Sequence, residues 1–184
     1  MTRRLTLICQ GATSATRAST FPADEPLEEL ALRKHRPGPV KPGDAQVLIG
    51  PSRAARETAA HLNLTGTAEP ALGDIDVGRW AGKGLGGIAP EDLARWLSDP
   101  GFAGHGGESL GDLITRAGGW LNTTAEGSGA VIAVASSAFI RACVVSVLSA
   151  PFEAFWRIDI APLTGTDLRH DGRRWALRAL GSSF

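Results

Sequence analysis

Apolar positions along the chain fall into two patterns. Residues 5–9 (LTLIC), 46–49 (QVLI) and 130–135 (AVIAVA) are short continuous runs bounded by polar or glycine-rich segments. Runs of this length, the last of them small or β-branched throughout, read as buried strands. Elsewhere the period is helical. After Pro51, the residues Ala55, Thr58, Ala59 and Leu62 share one helix face. Leu110, Leu113, Ile114, Ala117 and Leu121 form a longer stripe, preceded by Ser109 as an N-cap with Asp112 three residues on. A further helix is expected from about Ser137 to Leu148, with shorter ones around Pro26–Lys34 and Asp92–Leu97. The tail TDLRHDGRRWALRAL predicts a hairpin turning at Asp171-Gly172. Residues 65–90 are glycine-rich and irregular, a connection of the kind that carries function or mobility.

Strands alternating with helices predict an α/β fold with a mostly parallel sheet covered on both faces. Ligands of such sheets sit beyond the carboxyl ends of the strands. Three strand ends therefore matter: Cys9-Gln10-Gly11, Gly50-Pro51-Ser52 and Ala135-Ser136-Ser137. The length of 184 residues suits one domain over 1–184. Basic and acidic residues balance at 19 each, which points to no nucleic-acid or membrane partner. The basic residues are nearly all arginine, as a GC-rich bacterial coding sequence would give. Two cysteines make no disulfide framework, and the run Leu5 to Cys9 is too short for a signal peptide, so a cytoplasmic protein is expected.

The strand ends and two later motifs resemble the histidine phosphatase superfamily, with its phosphoglycerate mutase-like fold. Where that family has Arg-His-Gly-Glu-Thr, this chain reads Cys9-Gln10-Gly11-Ala12-Thr13. The family's Ser-Pro-Leu-x-Arg-Ala becomes Gly50-Pro51-Ser52-Arg53-Ala54-Ala55, and its Glu-x-Asp-Phe-Gly-x-Trp becomes Asp74-Ile75-Asp76-Val77-Gly78-Arg79-Trp80. Gly106-Gly107-Glu108-Ser109 is intact, and Val-Ser-His-Gly-Gly-x-Ile-Arg becomes Val134-Ala135-Ser136-Ser137-Ala138-Phe139-Ile140-Arg141. The resemblance implies a three-layer α/β/α sandwich. It also implies a site in which a histidine attacks phosphate, two arginines and a second histidine hold it, and an acid protonates the leaving group. At those places stand Gln10, Cys9, Ala54, Ser136 and Asp74.

A carboxamide is not a nucleophile, and a phosphate dianion without cationic partners is costly to bury. The expectation drawn from the resemblance is thus a pocket that has lost phosphoryl transfer. It would bind a small organic ligand not dependent on phosphate, with Asp74 as acid or base. Gln10 and Ser136 would orient the ligand, and His105 would assist. Isomerisation, cyclisation, dehydration and hydrolysis all fit such groups. Two alternatives stand beside it: a non-catalytic binding or scaffold module, and a residual phosphomonoesterase with an unorthodox nucleophile such as Cys9.

The remaining candidates have plainer readings. A cysteine phosphatase loop needs Cys-x5-Arg, but Arg17 follows Cys9 at Cys-x7-Arg, so Cys9 reads as a small residue ending a strand. Ser136 could head a Ser-Asp-His order with Asp159 or Asp167 and His170, but the glycines of a nucleophile elbow are missing. Arg17 and Arg53 flank the emptied positions, where either could restore one positive charge. Ser137 and Trp80 are expected to line the pocket, Glu108 to hold its loop, and Arg141 to tether a helix. Gly84-Leu85-Gly86-Gly87 reads as a lid or linker. His35 and His61 read as charged-loop and helix-surface residues. No spacing suits a metal, no cofactor is expected, and a homodimer is left open.

Overall fold

A computed structural model describes residues 2–34 and 40–183; His35 lies outside them. Among the described residues the fold is α/β, with six strands in one sheet. These are β1 (Arg3–Cys9), β2 (Gln46–Ile49), β3 (Thr67–Ala68), β4 (Gly129–Ala135), β5 (Gly165–His170) and β6 (Trp175–Ser182). Their order is β3-β2-β4-β1-β5-β6. The first four strands of that order pair in parallel, and β5 and β6 add an antiparallel edge. Six helices connect them: α1 (Ser14–Ala18), α2 (Glu29–Lys34), α3 (Arg53–His61), α4 (Pro90–Ser98), α5 (Leu110–Ala125) and α6 (Ser137–Leu148).

The continuous apolar runs are explained by burial on both faces of the sheet. Successive strand side chains point to opposite sides. Leu5, Leu7, Cys9, Val131, Ala133 and Ala135 enter one core, with residues of α5 and α6. Ile8, Ile132 and Val134 enter the other, with Ala55 and Ala59 of α3. Both faces of β1 and β4 are mainly apolar, so these runs show little polar–apolar alternation.

Local chemistry sets the helix ends. Ser109 and Asp112 close a reciprocal capping box at the start of α5. Ser52 and Ser136 cap α3 and α6 by accepting from Ala55 N and Phe139 N. Pro90 begins α4, where its missing N–H costs nothing. The hairpin turns at Asp171-Gly172 as expected, with Gly172 at φ 100°. The five residues of α1 carry no apolar stripe and were not expected; their start is fixed by a box between Thr13 and Thr16.

The irregular stretch after β3 is tied down by short 3-10 turns and by its neighbour. Glu108 N donates to the Asp76 carbonyl at 2.7 Å, and Arg79 N to the His105 carbonyl at 3.0 Å. A Cβ on Gly107 would overlap the Asp76 carbonyl, and one on Gly78 the His105 carbonyl. These two glycines let the 76–79 and 105–108 loops touch backbone to backbone. No helix among the described residues is long and apolar enough to cross a membrane.

Candidate active site

The three strand ends singled out above come from β2, β4 and β1, which are adjacent in the sheet and parallel. Their carboxyl ends therefore converge. Gln10 N donates to the Ala135 carbonyl at 2.8 Å, and Gly50 N to the Val134 carbonyl at 2.9 Å. Beyond them opens a cavity of about 460 Å³, lined at its polar end by Cys9, Gln10, Asp74, Ser136, Ser137 and Arg141. A smaller cavity of about 130 Å³ adjoins it, touching Gln10, Ser52, Ala54 and Asp74, with Asp24 and Glu25 at its edge.

Each polar group is held from below. The Gln10 carboxamide oxygen accepts from Ser52 Oγ at 2.8 Å, which leaves its NH2 as the donor for a ligand. Gly11 N donates to Thr58 Oγ1 at 2.8 Å, and that hydroxyl donates to the Ala54 carbonyl at 2.7 Å. Thr58 thus ties the Gln10 loop to α3. Thr58→Val keeps the shape but leaves a buried N–H unpaired. It is expected to cost about 1–3 kcal/mol in urea unfolding and to loosen Gln10. An unchanged midpoint would refute that tie.

Ser136 Oγ accepts from Phe139 N at 3.2 Å and hydrogen-bonds the Asp74 carboxyl. Asp74 also accepts from Ile75 N at 2.8 Å. Withdrawal from bulk water pushes the Asp74 carboxyl above the usual carboxylate range, with Glu108 adding to the rise; the two hydrogen bonds and Arg116 oppose it. Arg116 is a residue the sequence reading missed. Its guanidinium forks onto Glu108 at 2.8 and 2.7 Å and donates to the carbonyls of Ala71, Gly73 and Asp74 at 2.6, 3.1 and 3.3 Å. One arginine thereby fixes the loop that presents Asp74. Glu108 does hold a loop, but through Arg116.

Arg141 departs from its expected role as a tether. It lines the cavity from the second turn of α6. Its contact to Asp159 is loose, at 3.9 Å, and that carboxylate is 97% exposed. Its buried Nε finds no hydrogen-bond partner among the described residues. The N-terminus of α6, twelve residues long, adds the N–H groups of Ser137 and Ala138 and the positive end of its dipole. The cavity therefore keeps a cation and an anion-favouring helix end.

Other expected site residues lie elsewhere. Arg17 pairs with Glu28 at 2.8 Å and Arg53 with Glu57 at 2.7 Å, both on the surface. Neither lines a cavity described above; each has a nearer carboxylate. Trp80 is buried in an aromatic cluster and does not line the cavity. His105 is 1% exposed and packs on Trp80 at 5.0 Å and Phe102 at 5.9 Å. Its Nδ1 accepts from Gly107 N at 3.1 Å. Loss of hydration lowers its pKa, so it is a neutral packing group rather than a partner of Asp74. Cys9 touches the cavity, but burial, with Asp74 close by, pushes its thiol up to about 12. A thiol so raised is no ready thiolate. His170 sits against Trp175 in the hairpin turn, away from Ser136, so the Ser-Asp-His order forms no triad.

A fold of this topology with a cavity at these strand ends is an α/β domain that binds ligands beyond the carboxyl ends of its parallel strands. Residues 25–183 match the family model for the histidine phosphatase superfamily (branch 1). The chain belongs to that superfamily. Solved structures agree in fold. The mycobacterial glucosyl-3-phosphoglycerate phosphatase in complex with VO3 superposes with a TM-score of 0.79 at 24% identity, covering 98% of this chain and 100% of that one. A mutant phosphoserine phosphatase of Entamoeba histolytica, in complex with phosphoserine, gives 0.84 at 15% identity over 98% and 97%. A putative alpha-ribazole-5'-P phosphatase from Escherichia coli gives 0.79 at 18% over 99% and 98%. No curated protein matches the chain in sequence.

These findings correct the expectation of a pocket turned away from phosphate. The chain falls within the histidine phosphatase superfamily over most of its length, and the three structures named above, which share its fold, are of phosphatases. The sequence reading gave Arg141 only a tethering role, whereas its side chain lines the cavity and leaves a cation there.

Proposed function

We propose that the chain hydrolyses phosphate monoesters. The carrying observation is the convergence, in one cavity, of Asp74, whose carboxyl is pushed above the usual range by burial, with the α6 N-terminus, the Gln10 carboxamide and Arg141. Three phosphoryl oxygens need donors, and these groups supply them: the Ser137 and Ala138 N–H groups of α6, the NH2 of Gln10 and the guanidinium of Arg141. Such donors gain most where charge spreads over the phosphoryl oxygens in the transition state.

The family's histidine nucleophile is replaced by Gln10, whose amide does not attack phosphorus. Cys9 stays a buried thiol. Water is then the nucleophile. Its oxygen bonds to phosphorus as the ester P–O bond breaks. Asp74 gives its proton to the departing oxygen, releasing the neutral alcohol. The proton lost by water returns to Asp74 or stays on the phosphate product.

The test is release of inorganic phosphate from a panel of monoesters by the purified chain, beside a thermal scan with orthovanadate. Vanadate at about 100 times its Kd is expected to raise Tm by roughly 5–10 °C and to inhibit turnover. Arg141→Met is expected to weaken vanadate binding at least tenfold, the loss of one charge-assisted contact. Absence of phosphate release from every ester, with no vanadate shift, would refute the proposal.

A further inference from the structure

The cavity is much larger than a phosphoryl group, and its lining is of two chemistries. Beside the polar groups stand Phe21, Trp96, Phe155 and Trp156, with Ile160 and Pro162, and the Arg141 guanidinium lies over the Phe155 ring at 5.8 Å. Three remote segments build this wall: the loop before α2, the outer face of α4, and the 3-10 turn at Phe152–Arg157. The rings lock one another in tilted or edge-on contacts. Trp96 meets Trp156 at 4.6 Å and 64°, Phe21 meets Trp96 at 5.3 Å and 74°, and Phe155 meets Trp156 at 4.9 Å and 83°. Edge-to-face contacts of this kind make a rigid, preformed surface.

Two further observations narrow what the wall accepts. The indole nitrogens of Trp96 and Trp156 are buried and find no hydrogen-bond partner among the described residues. Both side chains nonetheless remain partly exposed beside the cavity. The rings therefore offer carbon surface, not N–H groups, to a bound molecule. Charge gives the second limit. Among the described residues that line the cavity, Arg141 is the single cation. Asp159 is at the rim, and Asp24 and Glu25 edge the smaller cavity next door. A second anionic group on the substrate would meet carboxylates and, among the described lining residues, no second cation.

We infer, resting on the reading as a monoester hydrolase, that the substrate is a phosphate monoester of an uncharged alcohol bearing a flat apolar ring. The ring lies against Trp96 and Trp156 while the phosphoryl group reaches the α6 N-terminus. Esters whose alcohol carries a carboxylate or a second phosphate are poor substrates.

The experiment compares 2-naphthyl phosphate, glycerol 2-phosphate and 3-phosphoglycerate, and separately titrates 2-naphthol by isothermal calorimetry. The expected kcat/KM for 2-naphthyl phosphate exceeds that for 3-phosphoglycerate at least thirtyfold. In Trp156→Ala the ratio of 2-naphthyl to glycerol ester turnover falls about tenfold, through KM, the scale of one lost ring contact. Trp156→Phe, which keeps a ring, restores most of it and guards against a folding defect. Equal or faster turnover of 3-phosphoglycerate would overturn the inference, as would an unchanged ratio in Trp156→Ala. If no ester is hydrolysed, the hydrolase reading fails by itself. Millimolar 2-naphthol binding that disappears in Trp156→Ala would then still support the ring subsite, and no binding to the wild type would sink it.

Discussion

Asp74→Asn lowers the hydrolysis of alkyl phosphates by roughly 10²–10⁴-fold, the usual worth of a positioned general acid. The same change has far less effect on p-nitrophenyl phosphate, because that leaving group departs without a proton. This contrast separates loss of an acid from loss of a fold. The pH dependence follows from the raised Asp74 pKa. The protonated carboxyl is the working form, so alkyl ester turnover falls as pH rises through the raised value. In Asp74→Asn that limb disappears. Stability runs in the same direction. A folded pKa above the unfolded value means the native state binds more protons, so the contribution of Asp74 is fully present below the unfolded carboxyl pKa and is lost as pH rises through the folded one. Asp74→Asn is therefore expected to melt higher than the wild type at neutral pH, with the gap closing in acid. A wild type and variant with parallel melting profiles from pH 4 to 8, and equal alkyl ester rates, would remove Asp74 from the mechanism.

Arg116→Met is expected to cost about 3 kcal/mol, or roughly 6–10 °C in Tm. The arginine and Glu108 are 27% and 16% exposed, enough burial that an unpaired Glu108 carboxylate is penalised. Three carbonyls, those of Ala71, Gly73 and Asp74, lose their donor as well. The Asp74 loop then drifts, and a shift of about 1 Å is enough to slow alkyl ester turnover some 10²-fold. Arg116→Lys does not rescue, since an ammonium cannot fork onto Glu108 while reaching the loop carbonyls. Full activity in Arg116→Lys, or alkyl and p-nitrophenyl esters slowed alike in Arg116→Met, would show that Arg116 does not act through the acid.

Most of the architecture was legible because it rests on local signals. Strands buried on both faces leave unbroken apolar runs, and Ser109 marks where α5 begins. The start of α1 has only the Thr13–Thr16 box behind it, with no stripe to flag it. The site was legible where it depended on strand ends: Cys9, Gln10, Asp74, Ser136 and Ser137 do meet in the larger cavity, with Ala54 at the smaller one next to it. Asp74 reaches that cavity from the loop after β3 and not from a strand end. The site was illegible where it depended on helix rotation and long-range packing. Arg141 turns inward from α6, while His105 and Trp80 turn away from the cavity into each other. Arg116 lies 42 to 45 residues from the carbonyls it holds, and no spacing rule connects them.

The buried thiols have a bearing on the conditions the protein withstands. Cys9 and Cys143 are unpaired, enclosed and held protonated by their surroundings. Alkylating agents and peroxide react with thiolates, and neither residue presents one. Treatment with iodoacetamide or dilute hydrogen peroxide is therefore expected to leave turnover intact, which sets this chain apart from hydrolases that work through a reactive cysteine.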